Sequence, residues 1–196
     1  MKTARKALLI ALCAVLLVAA SVMGTLAYLT STTEVVTNTM SIGNVKITLD
    51  ESPVDLYGTV VDGDRVMKND YKLIPGHKYV KDPAVHVAAG SEVCYLFVKI
   101  ADGIADIQDA TTVADQMLAN GWVAMDNGVY YYNKTVDARE AEKAVDVPVF
   151  GTFTIKGDAA VADYAGKTIT VQAYAIQADG FDSAAEAWAA APASWN

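Results

Sequence analysis

The chain has 196 residues, 53% of them hydrophobic and 19% charged, with 15 Lys and Arg against 23 Asp and Glu. That length suits one domain with a sizeable core. A formal net charge of −8 excludes binding to nucleic acid or an anionic membrane by charge, although loose binding of divalent cations such as calcium stays open.

A cationic start (Lys2, Arg5, Lys6) runs into an unbroken apolar stretch over residues 7–23, and small residues follow at Thr25 and Ala27. This order reads as a secretory signal peptide, residues 1–27, cut between Ala27 and Tyr28. The stretch of about 17 residues is at the short end of what spans a bilayer, so cleavage is expected over retention as an anchor. Three Lys and Arg and no acidic residue leave with it, so the cut chain carries 12 against 23, a net charge near −11. Cys13 leaves too; Leu12 before it argues against lipidation. Cys94 then has no intrachain disulfide partner, and between Val93 and Tyr95 it reads as a small apolar strand residue. No second apolar segment follows and the tail shows no sorting signal, so the product is expected to be released, without membrane attachment.

Residues 28–39 form a polar, Thr-rich lead, expected to be flexible, and the domain proper is expected over residues 40–196. Between 40 and 49, Val45, Ile47 and Leu49 alternate with Lys46 and Thr48, a half-buried strand. Turn-rich sequence follows through Pro53, Gly58, Asp62-Gly63-Asp64 and Lys68-Asn69-Asp70. Leu73-Ile74-Pro75-Gly76 is extended into a turn, and Val85-His86-Val87 is a short strand. Residues 92–101 are apolar on both faces, which suits the middle of a sandwich sheet. A helix is expected over 111–120, capped by Thr111 or Thr112, with Val113, Met117 and Leu118 on one face and Gly121 as its stop. Strands follow at 129–132, 147–156 and 167–177, with a charged turn or short helix at 138–143. A last helix, with Ser183 and Glu186 at capping-box spacing, ends near Ala191. Seven to nine strands, two short helices and no βαβ rhythm predict an all-β, antiparallel two-sheet sandwich of the jelly-roll kind, after the N-terminal signal helix.

No catalytic constellation emerges. A zinc peptidase needs two imidazoles on one face, commonly His-Glu-x-x-His on a helix. Here His77 and His86 lie nine residues apart in a turn and a strand, with no Glu between them. There is no Gly-x-Ser-x-Gly, no Gly-rich phosphate loop and no nominated carboxylate pair. Asp62-Gly63-Asp64 with Asn69 and Asp70 falls outside EF-hand spacing and reads as solvated turns rather than a calcium loop. Tyr130, Tyr131, Tyr132 and the three tryptophans (Trp122, Trp188, Trp195) read as core and cross-strand packing before a sugar platform. The chain is therefore expected to have no enzyme activity, no cofactor and no metal site.

The segment from Tyr28 to Leu49 resembles the start of the TasA/camelysin family, exported proteins of Gram-positive bacteria. Leu73-Ile74-Pro75-Gly76, Asp82-Pro83-Ala84-Val85-His86-Val87 and the run Gly90-Ser91-Glu92-Val93-Cys94-Tyr95-Leu96-Phe97-Val98-Lys99 are similar to the family's central block. Gly121-Trp122, Tyr130-Tyr131-Tyr132 and Pro148-Val149-Phe150 are similar to the next block. Ile169-Thr170-Val171-Gln172-Ala173-Tyr174, continuing to Gln177, and then residues 184–188 are similar to the C-terminal strand and helix. The resemblance implies removal of the signal by a SipW-type signal peptidase and a secreted jelly-roll domain at the cell surface. It also implies self-assembly into homopolymeric biofilm-matrix fibres, with the N-terminal strand of one subunit completing a sheet of the next. Tyr28, Leu29, Val35, Val36, Met40 and Ile42 are the apolar positions such an assembly strand would offer. A monomeric binding module or adhesin is the alternative, and a camelysin-like metallopeptidase is a third reading that the histidine pattern disfavours.

Overall fold

The computed structural model describes Lys6, residues 44–193 and Trp195. The chain divides after Thr37, and the compact unit Asn38–Asn196 holds nearly all of the described residues. The signal segment and its expected helix, the cut site and residues 28–43 lie outside them.

Nine strands are present among the described residues: β1 (Ile47–Asp50), β2 (Lys78–Val80), β3 (Ala84–Val87), β4 (Cys94–Asp102), β5 (Trp122–Ala124), β6 (Val129–Tyr132), β7 (Val145–Pro148), β8 (Thr152–Thr154) and β9 (Ile169–Gln177). Two helices, α1 (Val113–Ala119) and α2 (Ala184–Ala189), accompany them. All ladders are antiparallel, in sheets of order β1-β3-β7, β2-β8 and β5-β6-β4-β9. The architecture is mainly β and consistent with an all-β sandwich.

The longest ladder joins β4 to β9 over nine residue pairs, from Cys94 opposite Gln177 to Asp102 opposite Ile169. Side chains alternate across a strand, so Leu96, Val98, Ala173 and Ala175 share one face while Phe97, Tyr174 and Ile176 share the other. The first face packs in one core with Ile47, Val85, Val87 and Val147 of the β1-β3-β7 sheet. The second face packs against α2 through Ala184 and Ala187. Trp188 lies 4.9 Å from the Phe97 ring and Trp195 lies 5.5 Å from Tyr174. Cover on both sides is why β4 is apolar on both faces.

The sheet β2-β8 closes the first core with a second aromatic group. Tyr79 stacks on Phe153 at 4.8 Å, and Tyr71 meets both rings edge-on. The Tyr79 hydroxyl donates to the Lys72 carbonyl at 2.6 Å and accepts from the Ile74 N–H at 2.7 Å, so its burial leaves no polar atom unpaired. This pins residues 72–79 to the core.

Helix α1 starts at a complete capping box: Thr112 Oγ1 accepts from the Asp115 N–H, and the Asp115 carboxylate accepts from the Thr112 N–H. Val113 and Met117 are buried, but Leu118 is 54% exposed. The expected three-residue apolar face is thus narrower, because Leu118 sits a further 100° round from Met117. Gly121, at φ 90°, ends the helix where another side chain would be strained. The single strand expected over 147–156 is two strands in different sheets. The turn between them is held by Gln116, whose amide accepts from the Gly151 and Thr152 N–H groups and donates to the Thr152 carbonyl. The short strands β2 and β5 were not signalled by periodicity.

Phe97 is fully buried between the sheet and α2. Phe97→Ala is expected to lower stability by about 3–5 kcal/mol, read from urea unfolding followed by tryptophan fluorescence. A loss below about 1 kcal/mol would mean that α2 contributes little to the fold.

Candidate functional site

β1 and β9 are edge strands of their sheets and lie side by side without pairing. Near the C-terminal end of β1 and the N-terminal end of β9 a cleft of about 940 Å³ opens, lined also by residues 66–71, by Leu73 and by the turn Val161–Tyr164. Its lining is mixed: Leu49, Tyr71, Phe153, Val161 and Val171 supply an apolar part, and Met67, 77% exposed, also lines it.

Among the polar residues of the cleft, Glu51 and Lys81 form a buried pair. Glu51 follows β1 and is 4% exposed, and its Oε2 lies 2.6 Å from Lys81 Nζ. Its other oxygen, Oε1, accepts from Asn69 Nδ2 at 3.0 Å. Asn69 is held from both ends: Nδ2 also donates to the Ser52 carbonyl at 2.9 Å, and Oδ1 accepts from the Val54 N–H at 3.0 Å. Tyr71 lies beside this group, its ring centroid 6.0 Å from Nζ. Burial, aided by the Glu51 and Asp82 charges, pushes its phenol well above the ordinary value, so it stays protonated.

A second network lies across the same end of β1. Arg65 pairs with the Asp50 carboxylate, donates to the Asp50 and Asp82 carbonyls at 3.1 and 2.9 Å, and reaches the Asp82 carboxylate at 3.4 Å. Asp82 in turn accepts from the backbone N–H and the hydroxyl of Ser52, each at 2.7 Å. His86, on the central strand β3, spans the sheet: Nε2 lies 2.9 Å from Asp50 of β1, and Nδ1 lies 2.6 Å from Asp146 of β7. Carboxylates are acceptors only, so two such partners assign both ring nitrogens a proton. Burial opposes that charge, but the hydrogen bonds and charges of Asp146 and Asp50 outweigh it and hold His86 above the ordinary imidazole value. Asp50 is held below the carboxylate range, because Arg65 and His86 together outweigh its own desolvation.

His77 is elsewhere, its Nε2 donating to the Tyr57 carbonyl at 2.8 Å, so the two histidines have separate partners. Among the described residues, no group of three His, Cys, Asp or Glu side chains is arranged to hold a metal ion. Asp62, Gly63, Asp64 and Asp70 are exposed, and Asn69 is committed to Glu51 rather than to them. Cys94 is buried in β4, and burial pushes its thiol up to about 12. Trp122 is buried and donates to the Pro148 carbonyl; Tyr130 and Tyr132 pack on one core while Tyr131, Trp188 and Trp195 pack on the other. The aromatics therefore do not share one surface. Thr25, Ala27 and Tyr28 of the cut site, and Leu29, Val35, Val36, Met40 and Ile42 of the assembly strand, lie outside the described residues. No helix among the described residues is long and apolar enough to cross a membrane. Comparison with protein-family models, curated proteins and solved structures finds no match to this chain.

The His86 clamp gives a pH signature. A raised folded-state value means that its contribution is complete below the unfolded value of about 6.5 and is lost as pH rises through the folded one. The lowered Asp50 value means that its contribution is present above about 3.9 and is lost as pH falls through the folded one. The stability difference between the wild type and His86→Gln should peak between about pH 4 and 6.5 and shrink on either side. Urea midpoints measured across pH test this; a constant difference would leave the clamp as packing alone.

Proposed function

We propose that the chain is a secreted, jelly-roll structural protein, a subunit of extracellular biofilm-matrix or cell-surface fibres that assembles by N-terminal strand exchange. After a SipW-type peptidase removes residues 1–27, the segment beginning at Tyr28 of one copy adds to a sheet edge of the next. The observation that carries this reading is the open side of the β-rich domain, where edge strands β1 and β9 flank a cleft lined in part by apolar side chains. An edge strand presents unpaired backbone groups, and an added strand satisfies them; a head-to-tail contact that does not close extends into a filament. The apolar positions Leu29, Val35, Val36, Met40 and Ile42 supply side chains for that apolar part. The order of sequence blocks similar to the TasA/camelysin family supports the same role, which assigns the protein no catalysis and no cofactor.

A monomeric binding module is the second reading, favoured by two observations. The cleft volume falls within the range of small-ligand sites. Leu56, Tyr57, Val60, Val61 and Met67 are all at least 43% exposed on one stretch of chain.

Electron microscopy and sedimentation of protein beginning at Tyr28, beside protein beginning at Met40, separate the two. Filaments are expected from the first and monomers from the second, with salt or calcium favouring assembly by screening the acidic chain. Monomers from both under all conditions would give the binding module precedence, and filaments from both would remove the role of residues 28–39.

A further inference from the structure

We propose that Lys81 and Asn69 are the partners of an intramolecular isopeptide bond whose formation Glu51 promotes. An amide exchange of this kind needs four things: an amine freed of its proton, a carboxamide carbon made electrophilic, a proton carrier touching both, and little competing water. The structure brings the corresponding groups together from three separate places, the end of β1, the loop after it and the residue following β2.

The carrier is Glu51. One of its oxygens lies 2.6 Å from Lys81 Nζ and the other 3.0 Å from Asn69 Nδ2, so a single carboxylate bridges amine and amide. The electrophile is polarised by the Val54 N–H, which donates to Asn69 Oδ1 at 3.0 Å, where negative charge would develop on attack. The amide nitrogen is oriented by the Ser52 carbonyl at 2.9 Å. Competing water at the pair is limited, since the Glu51 and Lys81 side chains are only 5% and 11% exposed although they line the cleft.

The step balances without an external reagent. Lys81 gives one ammonium proton to Glu51, and the freed Nζ swings on its flexible stem from the carboxylate to Asn69 Cγ. The Nζ–Cγ bond forms, and the remaining excess proton of Nζ passes through Glu51 to Nδ2. The Cγ–Nδ2 bond then breaks and ammonia leaves, taking a proton from Glu51 as ammonium and restoring the carboxylate. One amide replaces another, and no electron is gained or lost. Escape of ammonia makes the exchange one-way.

The bond would join the loop over residues 51–77, which has only isolated bridges of its own, to the end of β2. It would give a chain whose one described cysteine is buried and free a covalent tie that needs no oxidant.

Peptide mapping of the purified full-length chain tests the proposal. Trypsin is expected to release residues 69–72 joined to residues 79–99, uncut at Lys81, with a mass lower by one ammonia than the two pieces combined. Lys81→Arg, Asn69→Ala and Glu51→Gln should each abolish that branched peptide. Circular dichroism identifies any variant that fails to fold, and the wild-type map decides the matter without the variants. Ordinary linear peptides cut at Lys81 would overturn the proposal. So would an ammonia loss that persists in Lys81→Arg, since that would be ring closure at Asn69-Asp70. A branched peptide that survives in Glu51→Gln would overturn the role of Glu51.

Discussion

The nine-residue pairing of β4 with β9 is the constraint from which the rest of the arrangement follows. β4 is apolar on both faces over much of its length, and β9 adds Ala173 and Ala175 to one face and Tyr174 and Ile176 to the other, so neither face of their sheet can be left in water. The β1-β3-β7 sheet covers one face, and α2 with Trp188 and Trp195 covers the other. A one-residue slip would exchange the faces and set Phe97 and Tyr174 against a core shaped for Leu96 and Ala175, so the register is fixed by packing. Covering two faces still leaves edges. Those of β1 and β9 come side by side, and the cleft opens between them.

The chain between β1 and β2 is positioned by polar chemistry in place of a ladder. Its only β contacts are the bridges of Glu51 with Val66 and of Val54 with Val60. Around them, Arg65 ties Asp50 to Asp82, Ser52 caps the Asp82 carboxylate, and Asn69 fastens the loop to Glu51. Every fully buried side-chain nitrogen or oxygen among the described residues has a partner. A buried ion pair such as Glu51–Lys81 is weak evidence for stability, since desolvation cancels much of the attraction. Its value here is geometric: a carboxylate fixed at one place, with an amine and an amide held to it.

The longer strands that pack on a core were legible in the sequence, and the polar network was not. Alternation in β9 and the two-faced run in β4 are period-2 signals written by burial, and the Thr112 cap is a local signal written by backbone hydrogen bonding. The break at Pro148–Gly151 was missed because both halves of that run are apolar; only the distant Gln116 amide shows that the chain changes sheet there. His86 read as one face of a strand, which is right for its backbone. Its partners are on β1 and β7, and only the cross-strand register brings Asp146 opposite it. Asn69 and Asp70 read as one acidic turn, yet the first points inward to Glu51 and the second is exposed. Nothing local distinguishes them, because a side chain 18 residues earlier decides the matter.

Net charge is the remaining obstacle to a self-assembling reading, and the same network bears on it. A chain with a formal net charge of −8 repels its copies over roughly a Debye length, about 8–10 Å at ordinary ionic strength. At the β1 edge, however, Asp50, Asp82 and Asp146 are largely offset by Arg65 and a charged His86, and Glu51 is matched by Lys81. Lys68, paired with Asp70, and Lys167 also line the cleft. The acidic excess therefore lies mainly elsewhere on the surface, where salt can screen it. Backbone pairing along an edge is short-ranged and indifferent to net charge, so a strand that reaches this locally balanced edge meets attraction that the global charge does not oppose.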